Sequence, residues 1–293
     1  RTAGDVDLWT DAGALGAKFR AAFRAPGLTA LPDFTFPARR DAKFGVSLRQ
    51  RRMAELWELA YARTGDEATA SLLGTVYDSA VPVADDPIAS ITDVERAEPP
   101  TGVRRDGLGW KALAWMAPAL PAADPSAWQP GTVHLDATGL AIFRRDAGRT
   151  YVSLDYGDSG GAHGHPDRLN LTLHAGGVPW LVDFGTGSYV ARSLGWYRTT
   201  FAHNAPAVDG ASQLPADGLC VAFDDGGDFG WMCAQLPDST AFHGAALQRT
   251  VVVTPGYVLD VVQMMSSTGA RTLMLPWHGL GQARADELGV TFT

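Results

Sequence analysis

After Gly131 the chain changes character. Apolar runs at 140–143, 151–154, 169–173, 178–182, 221–223, 247–253, 257–262 and 272–275 are all short, and Gly, Asp or Asn separates them. Runs of that length, punctuated by turn formers, bury a face by pairing side by side, which predicts an antiparallel β-sandwich. Upstream the period is helical. Leu15, Phe19 and Phe23 recur at every fourth position, in a stretch that Pro26-Gly27 should end. Residues 46–63 read as the clearest helix, with Ser47 as N-cap, Met53, Leu56, Trp57, Leu59 and Ala60 on or near one face, and Arg63-Thr64-Gly65-Asp66 as the stop. A helix over Glu67–Tyr77 follows after a short turn, so the two should be antiparallel neighbours. A short helical piece at 109–117 carries Trp110 and Trp115, and Pro-rich stretches at 79–100 and 118–130 read as linkers. The expected fold is α+β, with a helical domain over 1–120 and an antiparallel sandwich over 121–293.

At 293 residues with nine Trp, the chain is long and apolar enough for one large or two ordinary folded domains. A net charge of −8 argues against general nucleic-acid binding, while a locally basic site could still take an anion. No stretch reaches the length of a membrane span. The first residue is Arg1 and no secretory signal is visible, so the sequence reads as a processed or trimmed piece of something longer.

The chemistry concentrates between Gly160 and Gly210. His163-Gly164-His165-Pro166-Asp167, then Asp183, then His203-Asn204 surround two apolar runs joined by Gly176-Gly177, the signature of a β-hairpin. If the first segment is extended, His163 and His165 project to one side. Imidazoles and a carboxylate converging there suit zinc or another borderline divalent metal. The plainer alternatives are a chance His-X-His, a turn role for Asp167 after Pro166, and a strand-end turn role for Asp183.

HGHPDRLNLTLHAGGVPWLVDFGTGSY followed by WYRTTFAHNAPAVDG resembles the β-sandwich domain of the heparinase II/III-like polysaccharide lyases, a group that includes alginate and oligoalginate lyases. Weaker similarity runs from Leu31-Pro32-Asp33 to Pro276-Trp277-His278. The resemblance implies the C-terminal part of an α/α-toroid followed by an antiparallel β-sandwich. It implies β-elimination on a uronic-acid-containing polysaccharide, either alginate or a heparin/heparan-type glycosaminoglycan. His163 falls at the family's catalytic histidine, and His165, Asp183 and His203 fall at positions that bind a metal in some members. One divalent ion is therefore expected, with zinc first. The family's partner tyrosine comes from the toroid, ahead of the segment matching Leu31-Pro32-Asp33. It would precede Arg1, so a missing N-terminal toroid segment is expected to complete the site, and Tyr61 and Tyr77 read as helix core. The sandwich is likewise expected to continue past Thr293. The expected partner is an acidic polysaccharide or oligosaccharide, and the expected location is the periplasm or the exterior, or the cytoplasm for an oligosaccharide lyase.

Other residues carry weaker signals. Arg39 and Arg40 lie in a loop that could face the site across a cleft from His163 and grip a sugar carboxylate bidentately, or could be a solvated pair. Trp196, Tyr197 and Arg198 could line a sugar subsite, with sandwich core as the alternative for the two aromatics. Asn204 could orient a ligand imidazole. His134, His174, His243 and His278 have no spacing argument and read as structural. Asn170-Leu171-Thr172 is a glycosylation sequon inside an expected buried strand. If Gly226-Gly227 form a two-residue loop, Cys220 faces Cys233 and a cross-strand disulfide is conceivable; otherwise they are two free, packed thiols. Two competing functions remain at this level: a cupin-like oxygenase using two histidines and a carboxylate, and a non-catalytic glycan-binding protein.

Overall fold

The computed structural model describes residues 7–77, 103–120 and 128–280, together with the backbone of Ala283–Asp286 and Gly289–Phe292. The linker expected at 79–100, and part of the one at 118–130, lie outside the described residues. The chain divides into two compact units.

The first unit holds the longer helices α1 (Ala14–Thr29), α2 (Arg51–Thr64) and α3 (Glu67–Tyr77), and the short α4 (Trp110–Trp115). Leu48, Trp57, Leu72 and Leu73 are fully buried at its centre, and Trp57 Nε1 donates to the Phe23 carbonyl at 2.7 Å. Glu58 is buried beside them, accepting from Tyr77 Oη at 2.9 Å and from Arg105 Nε at 2.7 Å. Burial first, then Glu58, pushes the Tyr77 hydroxyl far above its ordinary range, so this tyrosine is a structural donor.

Two helix boundaries differ from expectation. Helix α1 passes through Pro26-Gly27 and stops at Thr29. Gly27 packs so tightly that a Cβ would lie 2.8 Å from Trp128 and 2.9 Å from Leu72, so tertiary packing holds the last turn in helical form. Helix α2 starts after Gln50, not at Ser47, whose Oγ instead accepts from the Arg49 amide at 3.0 Å. Its other end closes as read, on Gly65 with φ of 63°.

The second unit combines Pro37–Phe44 with the chain from Gly131 onward. Strands β1 (Val133–Leu135), β2 (Leu140–Arg145), β3 (Thr150–Asp155), β4 (Asn170–Ala175) and β5 (Val178–Leu181) form an antiparallel meander. After the two-residue strand β6 (Ala207–Val208), a second antiparallel sheet comprises β7 (Leu219–Asp225), β8 (Gly230–Leu236), β9 (Ala245–Val253) and β10 (Val258–Ser266), in the order β10-β9-β8-β7. Strand β11 (Leu273–Met274) pairs with β6, and β12 (Ala283–Asp286) with β13 (Gly289–Phe292). Ala141, Phe143, Val152, Leu154 and Leu171 from the first sheet share one core with Met232, Ala234, Leu247 and Val251 from the second. Strand β9 alternates buried and half-buried along its whole length, as a strand with one face on a core must.

Residues 226–229 connect β7 to β8, and the Gly226 amide bonds the Phe229 carbonyl at 2.9 Å, so the loop is longer than two residues. A register shift follows between Cys220 and Ala222. Cys220 therefore pairs with Ala234, Cys233 pairs with Ala222, and both thiols are free.

Arg249 of β9 is fully buried and ties the unit together. It meets Asp260 at 2.8 and 2.6 Å through Nε and Nη2, and its Nη1 donates to the carbonyls of Leu169 at 2.7 Å and Asn204 at 2.5 Å. No helix among the described residues is long and apolar enough to cross a membrane.

Candidate active and metal site

The site grows from the connections around β3, β4 and β5. The segment between β3 and β4 carries His163, His165 and Asp167. Asp183 follows β5, whose hairpin turns on Gly176 and Gly177, both at positive φ as a two-residue hairpin turn requires. The short helix α5 (Leu194–Tyr197) and the 3-10 turn Thr200–Ala202 then deliver His203.

His163 and His165 do not share a side. Gly161–His163 is a 3-10 turn that opens on Gly160 in the left-handed region, and a Cβ on Gly164 would collide with the Ser159 carbonyl at 1.7 Å. That turn throws the His163 side chain outward, 78% exposed, while His165 is 3% exposed. The expectation of an extended segment is corrected here, because the chain must turn sharply at these glycines.

Inside, Asp167, Asp183 and His203 are all buried and offer ligand atoms within 4.8 Å of one another. His203 Nδ1 lies 3.0 Å from both Asp183 oxygens. Asp183 also accepts from Asn170 Nδ2 at 2.6 Å and from the Gly185 amide at 2.7 Å. His165 Nδ1 is 3.3 Å from His203 Nε2, and its own Nε2 is buried with no partner among the described residues. Burial, then the neighbouring His203, pulls the His165 imidazole down to about 4, which keeps it in the neutral, ligand-competent form. The geometric trio thus has Asp167 where His165 was expected, since the His165 ring sits against His203 and not against Asp183.

Around this cluster the predicted residues separate. Arg39 is committed to Asp155 through both Nε and Nη2, and Nη2 also donates to the Thr138 carbonyl at 2.9 Å. Burial pushes the Asp155 carboxyl up, but Arg39 outweighs it and holds the group below the ordinary carboxylate range. Arg39 is therefore a fastener of its own loop and not a free carboxylate grip. Arg40 has φ of 57°, pairs with Asp158 at 2.8 Å, and donates its amide to Asp167 Oδ2 at 3.2 Å. Both arginines belong to the sheet unit. Their loop is pinned there by the Thr186 amide on the Ala42 carbonyl at 3.1 Å and by a bridge from Lys43 to Gly185. Expecting them across a cleft, on the helical half, was therefore incorrect.

Tyr197 is 3% exposed with its ring against Gly187, so a sugar cannot stack on it. Trp196 is 44% exposed, edge-on to Tyr197 and His278, and keeps an open face. The Arg198 guanidinium carbon stands 5.5 Å from the Tyr189 ring centre. Among the described residues Asn204 bonds no imidazole, and its Oδ1 accepts from the His278 backbone amide at 2.6 Å. Its Nδ2 donates to the carbonyls of Leu171 and Val182 at 3.0 and 2.9 Å, lacing β4 to the chain after β5. The residue that steadies the cluster is Asn170, which holds Asp183 with its amide and the Asn204 backbone with its oxygen. Its sequon hid this role, and the signal was a polar residue at the head of an apolar strand. A cavity of about 230 Å³ adjoins the cluster, lined among others by His165, Arg168, Arg198, Ser212 and Gln213.

The Heparinase II/III-like, C-terminal family matches residues 129–286. An alginate lyase of Stenotrophomonas maltophilia (strain K279a) is 30% identical over 169 residues, which are 49% of this chain and 22% of that enzyme. An exo-oligoalginate lyase of Saccharophagus degradans (strain 2-40 / ATCC 43961 / DSM 17024) is 26% identical over 174 residues, 50% of this chain and 23% of that enzyme. A solved heparinase III superposes over 87% of this chain and 35% of its own, with a TM-score of 0.58 at 12% identity. The chain thus spans less than half the length of these relatives, and nothing among them favours a metal oxygenase.

Proposed function

Because this chain belongs to the heparinase II/III-like family through its domain at residues 129–286, we propose that it forms the sheet side of a polysaccharide lyase acting on a uronic-acid polymer. Alginate and heparin/heparan-type chains are the substrate classes. Helices α1–α4 are taken as the tail of an α/α-toroid, and a toroid segment outside this sequence as the source of the partner tyrosine. The periplasm or the exterior is the proposed location.

The reading is carried by one arrangement: an exposed imidazole, His163, two residues from buried His165 and four from Asp167 of a buried imidazole–carboxylate cluster. β-Elimination removes the proton at carbon 5 of a uronate. The electron pair left behind forms the carbon 4–carbon 5 double bond, the carbon 4–oxygen bond breaks, and the departing oxygen takes up a proton. The reaction needs groups that exchange protons and positive charge near the sugar carboxylate. His163 is placed to exchange a proton with substrate. Arg198, exposed beside the cavity, supplies positive charge, and Trp196 an open face for a sugar ring. The test is incubation of protein that carries the complete toroid with alginate, heparin, heparan sulfate, chondroitin and hyaluronan, followed by ultraviolet absorbance. A conjugated unsaturated uronate appears only if elimination occurs, and its absence with every polymer counts against the reading.

The donor set also fits a divalent ion, zinc first. Asp183 and His203 are common to both candidate trios. For the third place, Asp167 already accepts from Arg168 and from the Arg40 amide, whereas His165 Nε2 is buried and bonds nothing among the described residues. A buried polar atom without a partner is costly, so the ion relieves a defect at His165 and none at Asp167. When bound, the ion would tie the His163 loop to Asp183 and His203 and add positive charge to the site. We expect about one zinc per chain in protein prepared without chelator. His165→Ala should lose it, and Asp167→Asn should keep it. Elemental analysis that finds no zinc, or finds it lost with Asp167 and kept without His165, would overturn this assignment.

A further inference from the structure

We infer that Asp41 is the positioning residue for His163, fixing which ring nitrogen faces substrate. The inference rests on the lyase reading for its kinetic consequences, but its geometric basis is independent of it. Asp41 is far from the histidine motif in sequence, yet its Oδ2 lies 2.5 Å from His163 Nδ1. The same oxygen accepts from Tyr189 Oη at 2.6 Å. Tyr189 in turn lies under the Arg198 guanidinium.

Asp41 is not a chance surface neighbour. The residue before it, Arg40, is fastened through its amide to Asp167 and through its guanidinium to Asp158. The residue after it, Ala42, accepts from the Thr186 amide at 3.1 Å. Arg39 is locked to Asp155. The loop is therefore held on both sides of the carboxylate, and the Asp41 side chain is 24% exposed while its histidine partner is 78% exposed. Desolvation raises the Asp41 carboxyl, but the hydrogen bonds from Tyr189 and His163 outweigh it and hold it below the ordinary range. Tyr189 is shifted upward, chiefly by its bond to Asp41, as expected of a donor to an anion.

An ionised carboxylate has no hydrogen to give, so the short contact requires the proton on His163 Nδ1. In the neutral form of the ring the lone pair is then on Nε2, the nitrogen not bonded to Asp41. A proton taken from carbon 5 would go to Nε2, and Asp41 would face the imidazolium that results. Tyr189 occupies the same carboxylate oxygen and keeps it from rotating.

The test has a spectroscopic arm and a kinetic arm. NMR of isotope-labelled histidine, with the His163 signal identified by its loss in His163→Ala, should show that the neutral tautomer carries its proton on Nδ1 in the unaltered protein. Asp41→Asn should move the proton to Nε2 or give the mixture of a free ring. In the kinetic arm, Asp41→Asn should lower kcat by about 10²-fold or more with little change in KM. Tyr189→Phe should lower it by roughly 3- to 10-fold, and Asp41→Glu should restore part of the loss. Melting temperature and zinc content should stay unchanged in all three. An unaltered tautomer in Asp41→Asn overturns the inference, and so does a loss of activity matched by a loss of metal or of fold. If unaltered protein that carries the complete toroid forms no unsaturated product from any polymer, the lyase reading fails, and the tautomer arm alone decides the role of Asp41.

Discussion

We expect His163→Ala to lower kcat/KM for elimination by about 10²- to 10⁴-fold while leaving the melting temperature and zinc content unchanged. The side chain is 78% exposed, and its hydrogen bond is to Asp41, also at the surface. Substitutions at such positions ordinarily move stability within about 0.5 kcal/mol. His163 belongs neither to the cluster of Asp167, Asp183 and His203 nor to the trio of His165, Asp183 and His203, so every candidate metal donor remains. Only the imidazole proposed to exchange the proton is removed. A variant that melts early or loses zinc would show that His163 is structural, and one with near-normal turnover would show that another group exchanges the proton. The experiment belongs in protein that carries the complete toroid.

Asp183→Ala should be the most destabilising single change at the site. The carboxylate accepts from Asn170 Nδ2, from the Gly185 amide and from His203 Nδ1, and it is 6% exposed. Removing it strands three buried donors where water has no ready access. Each stranded donor costs about 1–3 kcal/mol, and partial relaxation brings the total to roughly 3–5 kcal/mol. The zinc proposed for this cluster should leave with it. Denaturant unfolding with elemental analysis measures both losses, and a change under about 1 kcal/mol would show that the three donors find other partners.

Legibility in the sequence followed distance along the chain. The strand pattern, helix α3 to the residue, and the gathering of Asp183 and His203 all rest on local periodicity or on a motif within a few tens of residues. The partnership of Asp41 with His163 was not legible, because no spacing rule joins a loop between helices to a turn between strands. The same limit misplaced Arg39. A pair of arginines in a loop looks the same whether it awaits a ligand or is already bound, and Asp155 decides which. His163 and His165 were read as extended because alternation is the default for strands, whereas the turn at Gly160 and Gly161 is set by backbone conformation. The cysteine register failed on one bulge, a single-residue event that periodicity averages away. Strand β8 was missed as a strand because five of its seven residues are buried, so it lacks the alternation that marks one-faced strands.

The four-pronged grip of Arg249 divides the site into two dynamic regimes. Its guanidinium reaches from the middle of β9 to the backbone just before β4 and just after His203, with Asp260 of the neighbouring strand locking it in place. The Asp183–His203 cluster can therefore open only if a central strand of the second sheet lets go. Its amides should exchange with solvent through the same rare, global opening as the core of the sandwich. The turn that carries His163 is tied instead by its own Gly164-to-Gly161 bond and by the side-chain contact with Asp41, neither of which reaches the second sheet, and it should exchange through local opening. On slow warming, the Asp183–His203 cluster should stay closed until cooperative melting, while the turn that carries His163 opens before it.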